Sequence, residues 1–433
     1  MKKGIIVGLF VVIAPLVLNA QDTIRVLHYN LLVYGASMAS CNQTNNNVDL
    51  KDQYLNIIIN HTRPDIFTVN ELGRGPTGNP SENAQRILNN VLNTGGRTFF
   101  RAASYTNQAN QSIANMLFFN GQRFRLHSEQ VIAVIERDIN LYRLYLNNPA
   151  KLVLGDTTYL NLIVSHFKAG STADDQQTRL SEANAVMSFI ESRNLTGNVM
   201  FLADFNMKSA YEIAFQTLTF HPNTSIRFHD PVTAPGNWFE NPDVARYHTQ
   251  STRTSTPACF ITGGMDDRFD LILLSNALIW GTRGLQYVEG SYHVVGQDGV
   301  RLNRSLIDPV NTSAPMAVIE ALYNMSDHLP VGLQLVTRPA ILSSDRTIFG
   351  EPVGLHFNNP VRDFLNLRIT GFSGMVEVSV YSVTGNRMLT LSSQQFYEGA
   401  VLRVDVSNLT PGIYLVRVAS PKIAPMVKML LKH

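Results

Sequence analysis

Cysteine and charged residues are both scarce in this sequence. Only two of its 433 residues are cysteines, Cys41 and Cys259, and neither has a second cysteine or a histidine at the spacing of a metal-binding pair. This scarcity disfavours a cysteine-based zinc site and allows at most one internal disulfide; the sequence leaves open whether Cys41 pairs with Cys259. After the amino terminus, no apolar run provides the roughly 20 residues that a membrane-spanning helix needs.

The balance of charge also argues against a protein that binds nucleic acid tightly through a basic face. Asp, Glu, Lys and Arg make up 16% of the chain, and the formal net charge is +2. Because Lys2 and Lys3 lie in the amino-terminal segment, and residues 358–433 carry eight basic against four acidic residues, residues 21–357 have a net charge of −4. High-affinity nucleic-acid binders show a basic face. Any polyanionic substrate must therefore meet a local basic patch or a bound cation.

The amino terminus has the pattern of a secretory signal peptide. A Met-Lys-Lys start precedes an apolar run over residues 4–18, and the small residue Ala20 follows. We therefore expect residues 1–20 to be a signal peptide and the rest of the chain to be exported.

Two domains are expected, because 433 residues exceed the size at which one hydrophobic core usually stops growing. Short apolar runs alternate with helical patterns up to about residue 336, which predicts an α/β domain over residues 21–337. The predicted strands are 24–28, 66–69, 114–119, 159–164, 199–202, 271–274 and 331–336. The predicted helices are 51–60, 81–92, 174–192 and 209–220. The periodicity then fades, so residues 338–357 are expected to form a linker.

Residues 358–433 have a different pattern, typical of a small all-β domain. Residues 376–383 alternate between apolar and polar, TGN at 384–386 predicts a turn, and GIYLVRV predicts a further strand. Together with Asn359-Pro360, LNL, DVSNLTP and the closing Lys428, these stretches resemble the C-terminal sorting domain of type IX secretion substrates. The resemblance implies an all-β sandwich that directs the chain across the outer membrane through the type IX secretion machinery. It also implies that the domain is removed during export, while the cargo is released or attached to the cell surface. An ordinary adhesive β-sandwich is the alternative.

Polar residues stand at the ends of the apolar strands of the larger domain. They are Asn30, Glu71, His166, Asp204, Asn206, Asp270, Asp327 and His328. Taken singly, each is better explained as a helix cap or a turn residue. Taken together, they predict a site, because acids that share a sheet edge repel one another unless a cation or a substrate joins them.

Phosphoester hydrolysis assisted by a hard cation needs such a set of residues. Magnesium prefers oxygen ligands and needs only one or two carboxylates with an amide, which Glu71, Asp327 and Asn30 supply. Manganese and calcium accept the same donors, so the ion stays open. Asp204 and Asn206 lie on the same side of an extended segment and are expected to hold water and phosphate. His328 supplies an imidazole whose tautomer Asp270 would fix.

The order of these motifs resembles the endonuclease/exonuclease/phosphatase superfamily. The motifs are the asparagine of LHYN, the acid of PDIFTVNEL, then SHFKAG, LADFN, RFDLILLS and SDHLPV. The resemblance implies a four-layer α/β sandwich, with two facing mixed sheets, outer helices and an active site at one edge. It also implies a metal site at Glu71, Asn30 and Asp327, and catalytic roles for Asp204, Asn206, Asp270, His328 and His166.

The sequence departs from the superfamily pattern at two places. Asn70 replaces the glutamine that usually precedes the metal-binding glutamate. His166 matches a histidine that contacts phosphate or assists the leaving group, but the carboxylate expected to orient it is missing, and Asn115 is the nearest polar substitute. Lys168 and Arg179 are expected either to contact phosphate or to form exposed salt bridges.

We therefore expect an exported, divalent-metal-dependent phosphodiesterase that acts on nucleic acid, DNA or RNA. A phospholipid phosphodiesterase of the sphingomyelinase kind is the closest alternative, although the sequence shows no exposed apolar hairpin for membrane contact. A catalytically silent surface-binding protein is the third. Residues 238–253 are expected to overhang the site, with Tyr247, His248 and Arg253 facing substrate, or to be a plain surface loop.

Overall fold

The computed structural model describes residues 23–75, 81–153, 157–255, 259–337, 354–370, 372–382, 386–397, 400–420 and 423–433. These residues form two compact units, the first up to residue 337 and the second from residue 354 onward. The predicted signal peptide and residues 338–353 of the predicted linker lie outside the described residues. Within those residues, no helix is both long and apolar enough to cross a membrane.

The first unit contains strands and helices that alternate along the chain. Its strands are β1 Thr23–Tyr34, β2 Ile66–Gly73, β3 Phe100–Ala102, β4 Ile113–Asn120, β5 Phe124–Val134, β6 Asp138–Leu146, β7 Tyr159–His166, β8 Val199–Asp204, β9 Phe228–His229, β10 Asp270–Ser275, β11 Leu285–Tyr287, β12 His293–Val294 and β13 Val331–Thr337. Its α-helices are α1 Val48–Thr62, α2 Glu82–Ile87, α3 Pro149–Val153, α4 Ala173–Ser192, α5 Ile213–Thr219, α6 Asn276–Trp280 and α7 Met316–Met325. Helix α2 continues as the π-helix Leu88–Leu92, and Thr224–Ile226 and Pro242–Tyr247 are 3₁₀ turns.

The strands form two mixed sheets. The first has the order β11-β13-β1-β2-β4-β3, with β12 also paired to β13, and the second has the order β5-β6-β7-β8-β10-β9. Each sheet contains one parallel pair, β1 with β2 and β7 with β8, beside antiparallel neighbours. The parallel pairs bring the carboxyl ends of β1 and β2, and of β7 and β8, to the same edge of their sheets.

The alternation of side chains in β8 shows how the layers stack. Met200 and Leu202 belong to the core that includes residues of the first sheet, whereas Phe201 and Ala203 pack with helices α4 and α5. Because successive side chains of a strand point to opposite faces, the two sheets face each other and the helices lie outside. This arrangement confirms the predicted four-layer α/β sandwich.

The predicted helices are present, and the ends of two differ from the prediction. Asn47 caps α1 by accepting hydrogen bonds from the N–H groups of Asp49 and Leu50, so α1 begins before residue 51. Helix α5 begins only at Ile213, although a helix was predicted from residue 209. The hydroxyl of Ser209 accepts from the Tyr211 N–H and donates to the Gly236 carbonyl, which holds a turn in front of the helix.

The second unit is an all-β sandwich, as predicted, but residues 354–357, which were predicted as linker, form its first strand. Its strands are β14 Gly354–Phe357, β15 Phe364–Thr370, β16 Gly374–Ser382, β17 Arg387–Phe396, β18 Val401–Asp405, β19 Gly412–Ser420 and β20 Ile423–Lys432. One sheet has the order β14-β15-β18 and the other β17-β16-β19-β20, and all pairs are antiparallel. A single apolar core, which includes Leu367 and Val416, joins the two sheets.

Candidate active site

A left-handed turn at the end of β1 places Asn30 between two acids. Leu32 and Val33 have φ values of 45° and 53°, and the Leu32 N–H donates to Oδ1 of Asn30 at 3.0 Å. This bond aims the other side of the amide at the acids, so Nδ2 of Asn30 donates to Oε1 of Glu71 at 3.0 Å and to Oδ2 of Asp204 at 2.9 Å. Asn30 therefore joins the first sheet to the second.

Glu71 near the end of β2 is held by the same turn. Its Oε2 accepts a hydrogen bond of 2.9 Å from the Val33 N–H, and its own backbone has a φ of 58°. A glutamate and a β-branched valine rarely adopt left-handed conformations, and such strain persists where surrounding contacts impose it. The turn thus fixes one acid by backbone geometry.

Asp204 and Asn206 at the end of β8 are also fixed by hydrogen bonds. The Asn206 N–H donates to Oδ1 of Asp204 at 3.2 Å, and Nδ2 of Asn206 donates to the Phe167 carbonyl at 3.2 Å. Burial raises the pKa of Asp204 to about 7, and the charges of Asp270 and Glu71 add to this effect. Asp204 is therefore a carboxylate that can take up a proton near neutral pH.

Asn70 supports Asp204 from behind. Its Oδ1 accepts from the Asp204 N–H at 2.9 Å, and its Nδ2 donates to Oδ1 of Asn115 at 2.7 Å. Asn115 in turn donates to the Asp138 carbonyl and to the Asn140 side chain. These bonds assign Asn115 to the support of Asn70 and Asp204.

His328 and Asp270 form a buried pair at the start of β13 and of β10. Nδ1 of His328 lies 2.7 Å from Oδ2 of Asp270, and Nε2 lies 3.8 Å from Oδ2 of Asp204. Burial alone would lower the pKa of His328, but the charges of Asp270 and Asp204 raise it well above its usual range. The structure therefore places together two residues that the sequence predicted as a pair.

Gln250 is a site residue that the sequence did not reveal. Its Nε2 lies 2.7 Å from Nε2 of His328, and its backbone forms isolated bridges with Asp267 and with His328. If His328 is neutral, its Nε2 accepts a hydrogen bond from the Gln250 amide nitrogen. If His328 is protonated, its Nε2–H would donate to the Gln250 amide oxygen after the amide flips. No motif marks a lone glutamine in a polar segment, so only the fold identifies it.

Asp327 lies beside the turn that holds Glu71. Its Oδ2 accepts from the Ile261 N–H at 3.0 Å, and the hydroxyl of the preceding Ser326 donates to the Asn30 carbonyl at 2.8 Å. Burial raises the pKa of Asp327; the charge of His328 lowers it and that of Glu71 raises it further. The charge of Glu71 therefore acts on Asp327.

His166 at the end of β7 lies between Asp204 and Glu71. Its Nε2 is 3.4 Å from Oδ2 of Asp204, and its Nδ1 is 3.9 Å from Oε1 of Glu71. Burial lowers the pKa of His166 well below its usual value, and the charge of Arg137 adds to this effect. Nδ1 is buried and has no hydrogen-bond partner among the described residues. His166 is thus a neutral imidazole with a free nitrogen inside the site.

The donor atoms fit a hard divalent cation. Glu71 and Asp327 offer carboxylate oxygens, which magnesium-type ions prefer, and a cation between them would relieve their mutual repulsion. Asp204, Asp270 and His328 form a second group whose ligand atoms all lie within 4.8 Å of one another. In that group Nδ1 of His328 is already engaged with Asp270. Glu71 and Asp327 therefore remain the predicted cation ligands, and their carboxylates are likewise engaged by N–H donors of the protein.

A disulfide joins Cys41 to Cys259, a pairing that the sequence left open. The two cysteines pack with Leu32, Val33 and Phe260. The disulfide therefore lies against the turn that holds Glu71 and beside the segment that holds Asp327.

The structure corrects the prediction for Arg179 and bears out the salt-bridge alternative for Lys168. Arg179 is 1% exposed, pairs with Glu212, and donates to the carbonyls of Lys168 and Gly170, so it holds loops together and does not face substrate. Lys168 lies 3.6 Å from Asp175 in an ion pair.

Residues 238–253 are not a plain surface loop: Gln250 reaches His328, whereas His248 and Arg253, predicted to face substrate, are held by other protein groups. Trp238 and His248 are fully buried, and Nε2 of His248 lies 2.8 Å from the Trp238 carbonyl. Arg253 stacks on the rings of Phe260 and Tyr323. These partners lie near in space, and the order of residues does not reveal them.

Comparison with protein families identifies the second unit. Residues 357–432 match the family described as the secretion system C-terminal sorting domain, which confirms the resemblance noted for the second unit. No curated protein matches the chain significantly.

Solved structures similar to the chain include proteins of the endonuclease/exonuclease/phosphatase family. TDP2 from D. rerio, complexed with a single-strand DNA product, is 13% identical and has a TM-score of 0.44; the match covers 72% of this chain and 99% of that one. An endonuclease/exonuclease/phosphatase family protein from Bacteroides thetaiotaomicron is 10% identical with a TM-score of 0.46, covering 74% and 99%. The human Nocturnin catalytic domain is 13% identical with a TM-score of 0.43, covering 73% and 98%. Because these TM-scores are below 0.5, we draw function from the site residues.

Proposed function

We propose that the chain is a secreted, divalent-metal-dependent phosphodiesterase that hydrolyses nucleic acid. One observation carries this proposal: Asn30, Glu71, Asp204, Asp270 and His328, from five separate strands or strand ends, form one buried network of hydrogen bonds and ion pairs. A binding protein has no use for buried acids that repel one another, whereas hydrolysis at phosphorus needs an oriented water, a proton acceptor and positive charge.

The residues divide these tasks between them. Asp204, with a pKa of about 7, accepts the proton of the attacking water, and the Asn206 amide orients water or phosphate beside it. His328, kept protonated by Asp270, donates to a phosphoryl oxygen once Gln250 has turned aside. A cation bound by Glu71 and Asp327 would supply positive charge to the phosphate. His166 donates a hydrogen bond from Nδ1 to a phosphate oxygen in the tautomer that carries its proton there.

Cations around the acids support a polyanionic substrate. Arg137 donates to the His166 carbonyl at 3.3 Å, so its guanidinium lies at the edge of the site. Lys208 follows Asn206 by two residues and pairs with Asp267 at 3.5 Å, and its side chain is 40% exposed and stacks over the Phe239 ring. A basic residue beside an aromatic ring suits a phosphate and its base. This is the local basic patch that the net charge of −4 over residues 21–357 requires.

One observation favours a phospholipid as the second candidate. Val134 and Ile135, at the tip of the β5–β6 hairpin, are 45% and 38% exposed. They lie two or three residues from Arg137, which reaches the site. An apolar tip next to a phosphodiesterase site suits insertion among lipid headgroups. Only two aliphatic side chains form it, so nucleic acid is the better-supported substrate.

The proposed export follows from the second unit. A C-terminal sorting domain addresses a protein to a secretion machinery, and the pattern of residues 358–433 points to the type IX pathway. The product is then secreted or held at the cell surface.

Assays of plasmid DNA, RNA and sphingomyelin vesicles, each with Mg²⁺ or with a chelator, test the proposal. We expect DNA or RNA cleavage with Mg²⁺, its loss with chelator, and its loss in a folded His328→Ala variant. The matched control is His61→Ala, at an exposed position at the end of α1. Turnover of sphingomyelin alone would favour the second candidate, and a fully active His328→Ala variant would refute the assigned chemistry. Absence of turnover on every substrate would favour a binding protein.

A further inference from the structure

Lys51 is a lysine buried inside the first unit, close to the proposed site. It lies near the start of α1 and is 2% exposed, which is unusual for a lysine. Its Nζ donates hydrogen bonds of 2.6 Å to the carbonyls of Leu31 and Leu32. Both acceptors are backbone atoms of the turn at the end of β1.

This turn is the one that holds Asn30 and Glu71. While the Leu31 and Leu32 carbonyls point to Lys51, the N–H groups of Leu32 and Val33 point to Oδ1 of Asn30 and Oε2 of Glu71. The left-handed φ values of Leu32 and Val33 cost free energy unless other contacts hold them. Asn46 gives a second such contact by donating to the Leu32 carbonyl at 2.9 Å. Only the backbone of the Leu31–Val33 turn thus separates the Lys51 ammonium from the side chains of Asn30 and Glu71.

The ammonium and the acid pair also interact through charge. Burial lowers the pKa of Lys51 to about 7, against the opposing effect of Asp327 and Glu71. The charge of Lys51 in turn lowers the pKa of Asp327. A positive charge at this position is attracted by the same two acids that suit a divalent cation.

We infer that Lys51 is a positioning residue of the site, whose ammonium fixes the Leu31–Val33 turn and offsets part of the charge of Glu71 and Asp327. The pair therefore holds a divalent cation more weakly than it would without Lys51. This inference rests on the proposed function, which assigns the cation to that pair. A cation held weakly exchanges readily, and its occupancy follows its concentration outside the cell.

Binding of Mn²⁺ to the full chain, measured by calorimetry at pH 6.5, tests the inference. At that pH the ammonium form of Lys51, whose pKa is about 7, predominates before Mn²⁺ is added. Lys51→Met keeps the length of the side chain and removes the charge. We expect it to bind Mn²⁺ with a dissociation constant about tenfold lower, since a unit charge near a divalent ion opposes binding at an effective dielectric between those of protein and water. The control, Lys428→Met in the second unit, should bind as the wild type does.

The outcomes separate a charge role from a purely structural one. If Lys51 only supported the turn, Lys51→Met would bind Mn²⁺ more weakly or equally well, and either result overturns the inference. If the wild type binds no Mn²⁺, or if Glu71→Gln and Asp327→Asn bind it unchanged, the proposed cation site fails as well. Tighter binding by Lys51→Met together with a lower kcat supports both parts.

Because Lys51→Met removes two buried hydrogen bonds, the wild type supplies an independent measurement. The ¹⁵Nζ signal of Lys51, assigned by its loss in Lys51→Arg, should shift when Mg²⁺ is added, whereas the signal of Lys428 should not. An unchanged Lys51 signal at saturating Mg²⁺ would show that the ammonium does not sense the cation and would overturn the inference.

Discussion

Nδ1 of His328 lies 2.7 Å from Oδ2 of Asp270, and both side chains are buried. The two residues are 58 positions apart in the chain. The pair combines a hydrogen bond with opposite charges, and such bonds are stronger than neutral ones. Asp270 therefore decides both the orientation of the imidazole and its charge.

Asp270→Asn should remove the counter-charge that keeps His328 protonated. We expect the pKa of His328 to fall, because burial is then opposed only by the charges of Asp204 and Asp327. We expect kcat/KM to fall by about 10²- to 10⁴-fold, the size of a general acid–base contribution. The pKa is read from the histidine signals by NMR and the rate from a nuclease assay.

Asp174→Asn, at an exposed position in the first turn of α4, is the matched control. It should leave both quantities unchanged. An Asp270→Asn variant with wild-type kcat/KM would show that the charge of His328 does not contribute to catalysis.

The burial of Asp204 predicts a dependence of stability on pH. Its pKa is raised from 3.8 to about 7, so between these values the folded state binds a proton that the unfolded state has released. Its contribution to the free energy of unfolding therefore falls as the pH rises through this window. Asp204→Asn should raise Tm at pH 8 without divalent ion, but have little effect at pH 4. Thermal unfolding at both pH values provides the measurement.

The same pKa predicts the pH profile of the rate. Only the carboxylate form of Asp204 accepts a proton, so kcat/KM should rise as the pH increases through about 7. A rate that is flat between pH 5.5 and 8.5 would remove Asp204 from the role of proton acceptor.

The sequence was sufficient to predict those residues of the site that stand at the end of an apolar strand. The runs of β8, β10 and β13 fix the strands, and the polar residues at their ends follow. Lys51, Gln250 and Arg179 escaped prediction or were misplaced for one reason. The tertiary fold determines their hydrogen-bond acceptors and ion-pair partners. In the sequence alone, a buried polar residue cannot be distinguished from a solvent-exposed one.

Similar reasoning explains the misplaced segment at residues 238–253. Its polar composition is typical of a loop, yet Trp238 packs against the edge of the Phe215 ring and donates to the Ala234 carbonyl. Arg268, on a neighbouring segment, pairs with Asp230 and stacks near Trp238. Polar residues are buried here because hydrogen bonds and ion pairs satisfy them. The amino-acid composition of the segment does not show which residues form those contacts.

The Cys41–Cys259 disulfide should support the cation site as well as the fold. Ile261, two residues after Cys259, donates to Asp327, and the cysteines pack against Leu32 and Val33. A double Cys→Ser variant should lose about 2–5 kcal/mol of stability, a typical cost for a native disulfide. It should also bind Mn²⁺ more weakly than the wild type. Thermal unfolding and calorimetry measure the two effects.

Treatment with a thiol reductant provides the control for this prediction. It should reproduce the effects in the wild type and cause no further change in the double Cys→Ser variant. If the reduced wild type unfolds at a lower temperature but binds Mn²⁺ with unchanged affinity, the disulfide supports the fold without supporting Asp327.

The rim of the site should decide between the two candidate substrates. Lys208→Ala and Arg137→Ala remove positive charge beside the acids, so each should weaken DNA binding and reduce its salt dependence by about one counterion. Ile135→Ser removes an exposed apolar side chain from the hairpin tip and carries no charge, so it should leave DNA cleavage unchanged. KM for a DNA oligonucleotide at several salt concentrations, with sphingomyelin turnover in parallel, provides the measurement. If Ile135→Ser abolishes turnover of vesicles while Lys208→Ala leaves KM for DNA unchanged, the preferred substrate is a phospholipid, because the apolar tip and not the basic rim then carries recognition.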